Sequence, residues 1–402
     1  MQETEFASRL NNAGASCYLV GGGVRDYIRG MVPRDRDYLV CGCSEEKFKE
    51  MFPESKKVGK SFPVFRMDID GQSCEIAFAR RHGESSICFD ASVKVQDDLY
   101  LRDTTMNSMA LKLPERILID PYGGKTDIAN RKIRAVSEHF CDDPIRALRV
   151  ARQSAEMHFE IDSTTYQYMK CCNDRLREES TERVFLELRK ALQTVRPSLF
   201  FRVLREGEVL EATFPYLAAL IGKTQPVEFH PEGDAFEHSL EVLDKVAENT
   251  ESIPARFAAL VHDLGKGQTP DHMLPHHYGH DKKGLDVLRR WNQEMTLPRE
   301  WFQAGMFLIK EHMRAPRLKK AGKIVGLLMD FRKAGLPVQE VLTVIRADYG
   351  ELPYYLENAE ELIEKMERIS GNDAPDDLSG EEVGDWLLKE RIKVMKQAVH
   401  ES

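Results

Sequence analysis

The sequence predicts an α+β chain in which a small head, built on a mixed sheet, is followed by an all-helical body. Two observations carry this reading. Strand-like and helix-like segments alternate up to about residue 140, and from about Asp142 onward apolar residues recur almost only at helical spacing. With 402 residues, the chain has room for two or three domains of roughly 100–200 residues each. The pattern divides into a head over 1–140, a helical neck over 141–225, a further helical domain over 226–352 and a helical tail over 353–402.

Within the head, Ser16–Val20 reads as a strand that runs into Gly21-Gly22-Gly23, after which Val24–Arg29 reads as a short helix. Tyr38–Val40 is a second strand. Val64–Ile69 and Ser73–Phe78 are strands joined by Asp70-Gly71, a strong two-residue hairpin signal. Pro144, with Asp142 or Asp143 as N-cap, marks the start of the helical body. The Pro- and Gly-rich stretch Gly222–Gly233 reads as a linker.

Composition is that of a globular protein, with 42% hydrophobic and 31% charged residues. Lys+Arg 57 against Asp+Glu 66 gives a formal charge of −9, so any nucleic-acid surface has to be a local patch. The best basic stretch runs from Arg175 through Arg177, Arg183, Arg189, Lys190, Arg196 and Arg202 to Arg205, but interleaved acids make a solvated helical face an equal reading. Met1–Asn12 has neither a basic nor an apolar leader region, and no run of about 18 apolar residues occurs. A cytoplasmic protein without a membrane span is expected. Eight cysteines are scattered without CxxC pairing, which fits reduced, structural thiols.

Chemistry-bearing residues cluster in three places. Asp35-Arg36-Asp37 leads into a strand, where residues i and i+2 project from one face, so both carboxylates can aim at one point. Mg²⁺ takes oxygen ligands, and paired carboxylates can hold it for an in-line phosphoryl displacement. Glu75, in the apolar strand Ser73–Phe78, is a candidate third acid. Asp-x-Asp alone also marks a solvated turn, and Gly21-Gly22 alone a plain tight turn. Together with Arg25, whose forked guanidinium suits a triphosphate, they make a sharper pattern.

Residues 18–42, YLVGGGVRDYIRGMVPRDRDYLVCG, resemble the signature of the class II tRNA nucleotidyltransferase and poly(A) polymerase superfamily. The resemblance continues through Arg102-Asp103-Thr104-Thr105-Met106-Asn107, similar to the ribose-selecting block of the family, and through Asp120–Gly124 with Asp127. It resumes at Asp142–Arg149 and at Thr181-Glu182-Arg183 with Glu187. It implies that Asp35, Asp37 and Glu75 are catalytic, with Asp35 and Asp37 holding Mg²⁺. It also implies that Gly22, Arg25, Arg102, Asp103, Asn107, Asp143, Arg146 and Arg149 bind nucleotide. The sequence departs at Leu101 and Thr104, where the family has an arginine and an aromatic or aliphatic residue, and at Asp142, where a glutamate is usual.

Asp143 and Arg146 lie three apart on an expected helix and so share a face. Cytosine and adenine each show an amino donor beside a ring-nitrogen acceptor, which an Asp/Arg pair can match. Guanine and uracil set like against like there, so the pair accepts CTP and ATP and rejects GTP and UTP. A helix cap with an ion pair is the plainer reading of the same two residues. The family uses the matching pair as its template.

Val58-Gly59-Lys60-Ser61-Phe62-Pro63-Val64-Phe65 is similar to the CCA-adding branch rather than to bacterial poly(A) polymerases. Arg81–Gln96 stands where that branch has its nucleotide-switching loop, and it is short. An enzyme that stops after two cytidines is therefore the alternative product reading.

The third cluster begins at His262-Asp263, which ends the apolar run Ala258–Val261. Adjacent buried ionisable groups are costly unless paired or metal-bound. With His238 upstream and Asp348 downstream, they resemble the H…HD…D pattern of the HD phosphohydrolases, although lone histidines are more often structural. Mixed imidazole and carboxylate ligands suit Ni²⁺, Mn²⁺ or Mg²⁺. His276, His277 and His280, with Lys282 and Lys283, crowd a nearby polar loop that either binds phosphate or a second ion, or is solvated.

Motif order as a whole resembles bacterial CCA-adding enzymes that carry an HD domain. That implies 2′,3′-cyclic phosphodiesterase, 2′-nucleotidase and phosphatase activity, the tRNA 3′ end with CTP and ATP as partners, and a monomer or homodimer. A phosphohydrolase with a decayed transferase head is the rival from another enzyme class.

Overall fold

The computed structural model describes residues 1–33, 36–58, 64–82, 87–88, 90–228 and 231–400. By their contacts they form two compact units: residues 1–178 with 206–209, and residues 179–205 with 210–402.

The first unit holds the sheet. Its strands are β1 (Ser16–Val20), β2 (Asp37–Cys41), β3 (Lys56–Val58), β4 (Val64–Ile69), β5 (Gln72–Phe78), β8 (Ala110–Leu113) and β9 (Ile117–Ile119), with β6 (Arg81–His82) and β7 (Ile87–Cys88) forming a separate small hairpin. Spatial order is β3-β4-β5-β2-β1-β8-β9. The β2–β5 pair is parallel and the other pairs antiparallel, so the sheet is mixed, as expected. The β4–β5 hairpin turns at Asp70 (φ 50°) and Gly71 (φ 76°), the left-handed pair that a tight two-residue loop requires.

Alternation along the strands explains how both faces are covered. Cys17, Leu19, Tyr38 and Val40 pack on one side with Phe6, Phe48, Phe52, Phe65 and Phe78. Tyr18, Val20 and Leu39 pack on the other with Val93, Leu99 and Ala110. Central strands buried on both sides are stiff supports for what projects from their ends.

α1 (Gly22–Ile28) follows β1 directly. The helix α2 (Arg146–Met157) starts later than the sequence suggested. Asp143 is extended (φ −127°, ψ 103°), because a residue preceding proline is pushed out of the helical region, and the N-cap position falls on Ile145. Asp143 and Arg146 therefore do not share a helix. They are instead joined by a turn, with the Arg146 amide donating to the Asp143 carbonyl at 3.1 Å.

The second unit is helical. α3 (Ala235–Asn249), α4 (Ile253–Val261), α5 (His280–Glu294), α6 (Arg299–Glu311) and α7 (Val338–Tyr349) carry its site. Val242, Ala258, Leu308, Leu328, Val341 and Ile345 are fully or almost fully buried members of one core. The described residues of Gly222–Gly233 are built into the second unit rather than forming a linker. An antiparallel bridge joins Thr224 to Asp234, Gln225 is buried, and the Gly222 amide donates to Asp234 Oδ2 at 2.7 Å. Pro/Gly richness marks turns, and here the turns fold back into the unit.

Candidate active sites

In the head, the reactive groups collect where β1 hands over to α1. Gly21 adopts φ 67°, and a Cβ there would stand 3.4 Å from Arg102 Nη1 and 3.8 Å from Asp37 Oδ2. The glycine turn thus brings Asp37 and Arg102 to one point. Asp37 and Glu75 are register partners on β2 and β5, and both are exposed. Arg66 donates to Glu75 at 2.8 Å. Asp35 lies outside the described residues, as do Gly59–Pro63 of the block that resembles the CCA-adding branch.

Gly22 lies under Arg25, whose guanidinium an added Cβ would meet at 3.5 Å. Arg25 donates to Asp26 at 3.0 Å and to Asn107 Oδ1 at 3.2 Å. Asn107 passes the chain on, its Nδ2 donating to Asp103 Oδ1 at 3.0 Å. Asp103 is buried and pairs with Arg149 of α2 at 3.0 Å. Burial works against its charge, but Arg149, the Asn107 amide and Arg146 hold its carboxyl well below the ordinary range.

Arg102 clamps Asp98 through Nε at 3.0 Å and Nη2 at 2.9 Å, and Arg80 stands 3.7 Å from the same carboxylate. Asp98 and Arg80 escaped the sequence reading, because a carboxylate buried four residues before an arginine looks like an ordinary helix pair. Leu101 is buried, so its side chain packs in the core while its carbonyl serves the site. Arg146 is buried too, donating to that Leu101 carbonyl and to the His139 carbonyl, each at 2.7 Å.

The second unit holds a denser cluster. His238 on α3, His262 and Asp263 just past α4, and Asp348 on α7 converge as the motif implied. His238 Nε2 is 3.0 Å from Asp348 Oδ1, and His262 Nε2 is 3.3 Å from Asp263 Oδ2. Two further histidines join them. His280, at the start of α5, and His312, just past α6, each place Nε2 3.4 Å from Asp263 Oδ1. His280 belonged to a loop whose role the sequence left open, and His312 had no sequence signal beyond ending an apolar helical run.

Three of these imidazoles have the same support. Nδ1 of His262, His280 and His312 meets the carbonyl of Ala259, His277 and Leu308 at 2.7, 2.7 and 2.9 Å. A main-chain carbonyl only accepts, so Nδ1 carries a proton and Nε2 is the atom turned toward the carboxylates, a lone pair whenever the ring is neutral. His262 Nε2, His280 Nε2 and Asp263 Oδ1 are buried and make no hydrogen bond among the described residues. Ring nitrogens facing buried carboxylates call for a cation between them, a proton or a metal ion.

The field has the same sign. Burial opposes a charge on His262, but Asp263 and Asp348 push its pKa up to about 10. Asp263, despite burial, is held well below the carboxylate range by Lys266 and His262. Lys266 is itself buried and touches both Asp263 and Gln225. Overlapping trios, among them His238/His262/Asp263 and Asp263/His280/His312, bring their donor atoms within 4.8 Å of one another.

Known proteins agree with this layout. Residues 17–134 match the poly A polymerase head domain, 158–221 the probable RNA and SrmB-binding site of polymerase A, and 235–351 the HD domain. The multifunctional CCA protein of Acinetobacter baumannii (strain AYE) is 33% identical over 404 residues, covering 94% of this chain and 97% of the relative. That of Pasteurella multocida (strain Pm70) is 41% identical over 296 residues, 70% of each. The chain belongs to the multifunctional CCA protein family.

As a member of that family it is a CCA-adding tRNA nucleotidyltransferase with an HD domain on the same chain. The match to the HD domain encloses all six clustered groups, from His238 to Asp348. Solved structures share the fold. The Bacillus stearothermophilus CCA-adding enzyme in complex with CTP superposes with TM-score 0.69 at 21% identity, covering 98% of this chain and 92% of that one. A tRNA nucleotidyltransferase complexed with a primer tRNA and an incoming ATP analogue gives 0.61 at 20% identity, covering 90% and 98%. No helix among the described residues is long and apolar enough to cross a membrane.

Proposed function

We propose that the head of this CCA-family chain adds the 3′-terminal CCA to tRNA from CTP and ATP, and that its HD cluster hydrolyses phosphate esters at RNA or nucleotide ends. The observation that carries the first half is the continuous line Arg25–Asn107–Asp103–Arg149, which ties the glycine turn to helix α2. Asp35, Asp37 and Glu75 offer an all-oxygen donor set that suits Mg²⁺, which would neutralise the triphosphate and favour attack by the primer hydroxyl. Arg25 and Arg102 flank the turn and balance phosphate charge. Asn107 and Asp103 are fixed by their partners to read the ribose.

Asp143 and Arg146 read the base edge. A guanidinium has five N–H donors, so the two carbonyls that Arg146 holds do not exhaust it. Asp143 accepts from the amine of cytosine or adenine while Arg146 donates to the ring nitrogen. Arg149 supports this pair from the next turn of α2 through Asp103.

In the second unit, His238, His262, Asp263 and Asp348 are proposed ligands, joined by His280 and His312. Their converging imidazole and carboxylate donors, among them His262 Nε2, His280 Nε2 and Asp263 Oδ1, fit a divalent ion such as Ni²⁺, Mn²⁺ or Mg²⁺. Bound there, an ion would supply an acidified water and polarise the phosphoryl group. Lys266 holds Asp263 in its charged form, and the carbonyl-bound histidines keep their lone pairs turned inward. Substrates of the expected class are 2′,3′-cyclic and 2′ phosphates.

The deciding experiment extends a tRNA transcript lacking CCA, with Mg²⁺, resolved to single nucleotides. Two additions with CTP and a third only with ATP are expected. A stop after two in the mixture would assign CC addition alone, and no extension would sink the transferase reading. Hydrolysis of a 2′,3′-cyclic nucleotide, lost with His262→Ala or chelator, tests the HD half.

A further inference from the structure

We propose that His82, His139 and Asp142 form a third metal site in the head, one that takes a borderline transition ion such as Zn²⁺ or Ni²⁺ in preference to Mg²⁺. It is separate from the HD cluster and uses none of the carboxylates assigned to nucleotide addition.

The three residues come from two segments. His82 ends β6 of the small hairpin, while His139 and Asp142 lie on the 3₁₀ turn Glu138–Asp142 that precedes Asp143. One donor atom from each lies within 4.8 Å of the other two. His139 Nδ1 is 2.9 Å from Asp142 Oδ2. The His82 and His139 rings are 4.6 Å apart and inclined by 31°, and the Tyr100 ring meets His139 edge-on at 5.4 Å.

The turn is also held ready. Arg175 donates to the Cys141 carbonyl and, at 2.9 Å, to that of Asp142, while Arg146 donates to that of His139. Ligands on a backbone fixed from both sides lose little freedom when an ion binds. The His139 and Asp142 side chains are 17% and 47% exposed, so an ion can enter and keep water in its remaining positions. Two imidazoles with one carboxylate suit Zn²⁺, Ni²⁺ or Cu²⁺, whereas Mg²⁺ keeps to oxygen. Such an ion would join the hairpin to the turn from which Arg146 takes a carbonyl.

The test counts Zn²⁺ bound by the full chain in excess Mg²⁺, using equilibrium dialysis with elemental analysis. The variant His82→Ala/His139→Ala is expected to bind one ion fewer than the unaltered chain, and each single substitution to weaken that ion at least tenfold. Asp142→Asn should weaken it several-fold. His262→Ala/Asp263→Ala should leave this ion in place while losing ions of the HD cluster. With Cu²⁺ as probe, electron paramagnetic resonance should show nitrogen coupling in the His262→Ala/Asp263→Ala background that vanishes when His82 and His139 are also replaced. An unchanged count in the His82→Ala/His139→Ala variant, or coupling undiminished when His82 and His139 are replaced in the His262→Ala/Asp263→Ala background, overturns the proposal. Circular dichroism checks that each variant is folded.

Discussion

Glu232 stands 2.6 Å from Nδ1 of His238, and on the other side of the same ring Nε2 stands 3.0 Å from Asp348. Burial disfavours a charged imidazole there, but these two carboxylates raise its pKa. With a divalent ion in place of the proton, the arrangement becomes a carboxylate–histidine–metal relay. Glu232 would then fix the tautomer and make His238 a better ligand. Glu232→Gln keeps the shape but removes the charge. It is expected to cost 10–100-fold in metal affinity or hydrolysis, on the scale of such supporting groups. Metal titration of 2′,3′-cyclic nucleotide hydrolysis checks this, and an unchanged metal requirement would count against Glu232 as the supporting group.

Gly265 sits where the turn after Asp263 meets the start of α5. A Cβ there would lie 1.8 Å from the His280 carbonyl and 2.6 Å from the Gly284 amide. Both obstacles are backbone, so no side-chain rotation relieves the clash. Gly265→Ala has to push α5 away and draw His280 from Asp263, at a cost of about 1–3 kcal/mol or more. Loss of HD hydrolysis and a lowered melting temperature are expected, with tRNA extension retained by the other unit. Hydrolysis at the unaltered rate would refute this packing argument.

These two cases show what a sequence can and cannot reveal. Ser16–Val20 and the Asp70-Gly71 hairpin were readable because strand alternation and turn chemistry are local. His-Asp after an apolar helix was readable because the expense of burying it demands a reason. His312 was not, since its partner Asp263 lies across helix packing that no local pattern encodes. Gln225 looked like part of a linker because composition does not register the bridge between Thr224 and Asp234. For α2, the proline that signalled a helix start also delayed it by holding Asp143 extended.

Asp103 offers a test with a sign. Its folded-state pKa is depressed, so its charge adds stability at neutral pH, and that contribution is lost as pH falls. The loss begins near pH 4, where the unfolded chain takes up the proton first. Asp103→Asn lacks this dependence. Its stability should vary less with pH between about 5 and 3, and it should be about 1–3 kcal/mol less stable at pH 7 through the loss of a buried charge-assisted bond. Thermal melts across that range provide the check. Equal slopes for the two proteins would mean that Asp103 is not a buried, ionised partner of Arg149.

The sharpest test of the head falls on Asp143. If Asp143 reads the base as proposed, its carboxylate only accepts, and guanine and uracil, with carbonyl oxygen at that place, would be refused. Asp143→Asn replaces one accepting oxygen with a donating NH₂ of nearly the same shape. Incorporation of CTP and ATP should fall by about tenfold to a hundredfold, in line with the loss of a hydrogen bond to a charged group. The fall in discrimination should be larger, because the amide can now meet a carbonyl. UTP, which presents O4 beside N3–H, should gain relative to CTP. Single-nucleotide extension with each triphosphate alone reads the ratio directly. If CTP and UTP fall together, Asp143 serves the turn rather than the base. If the ratio moves toward UTP, the residue held extended by Pro144 is what reads the base.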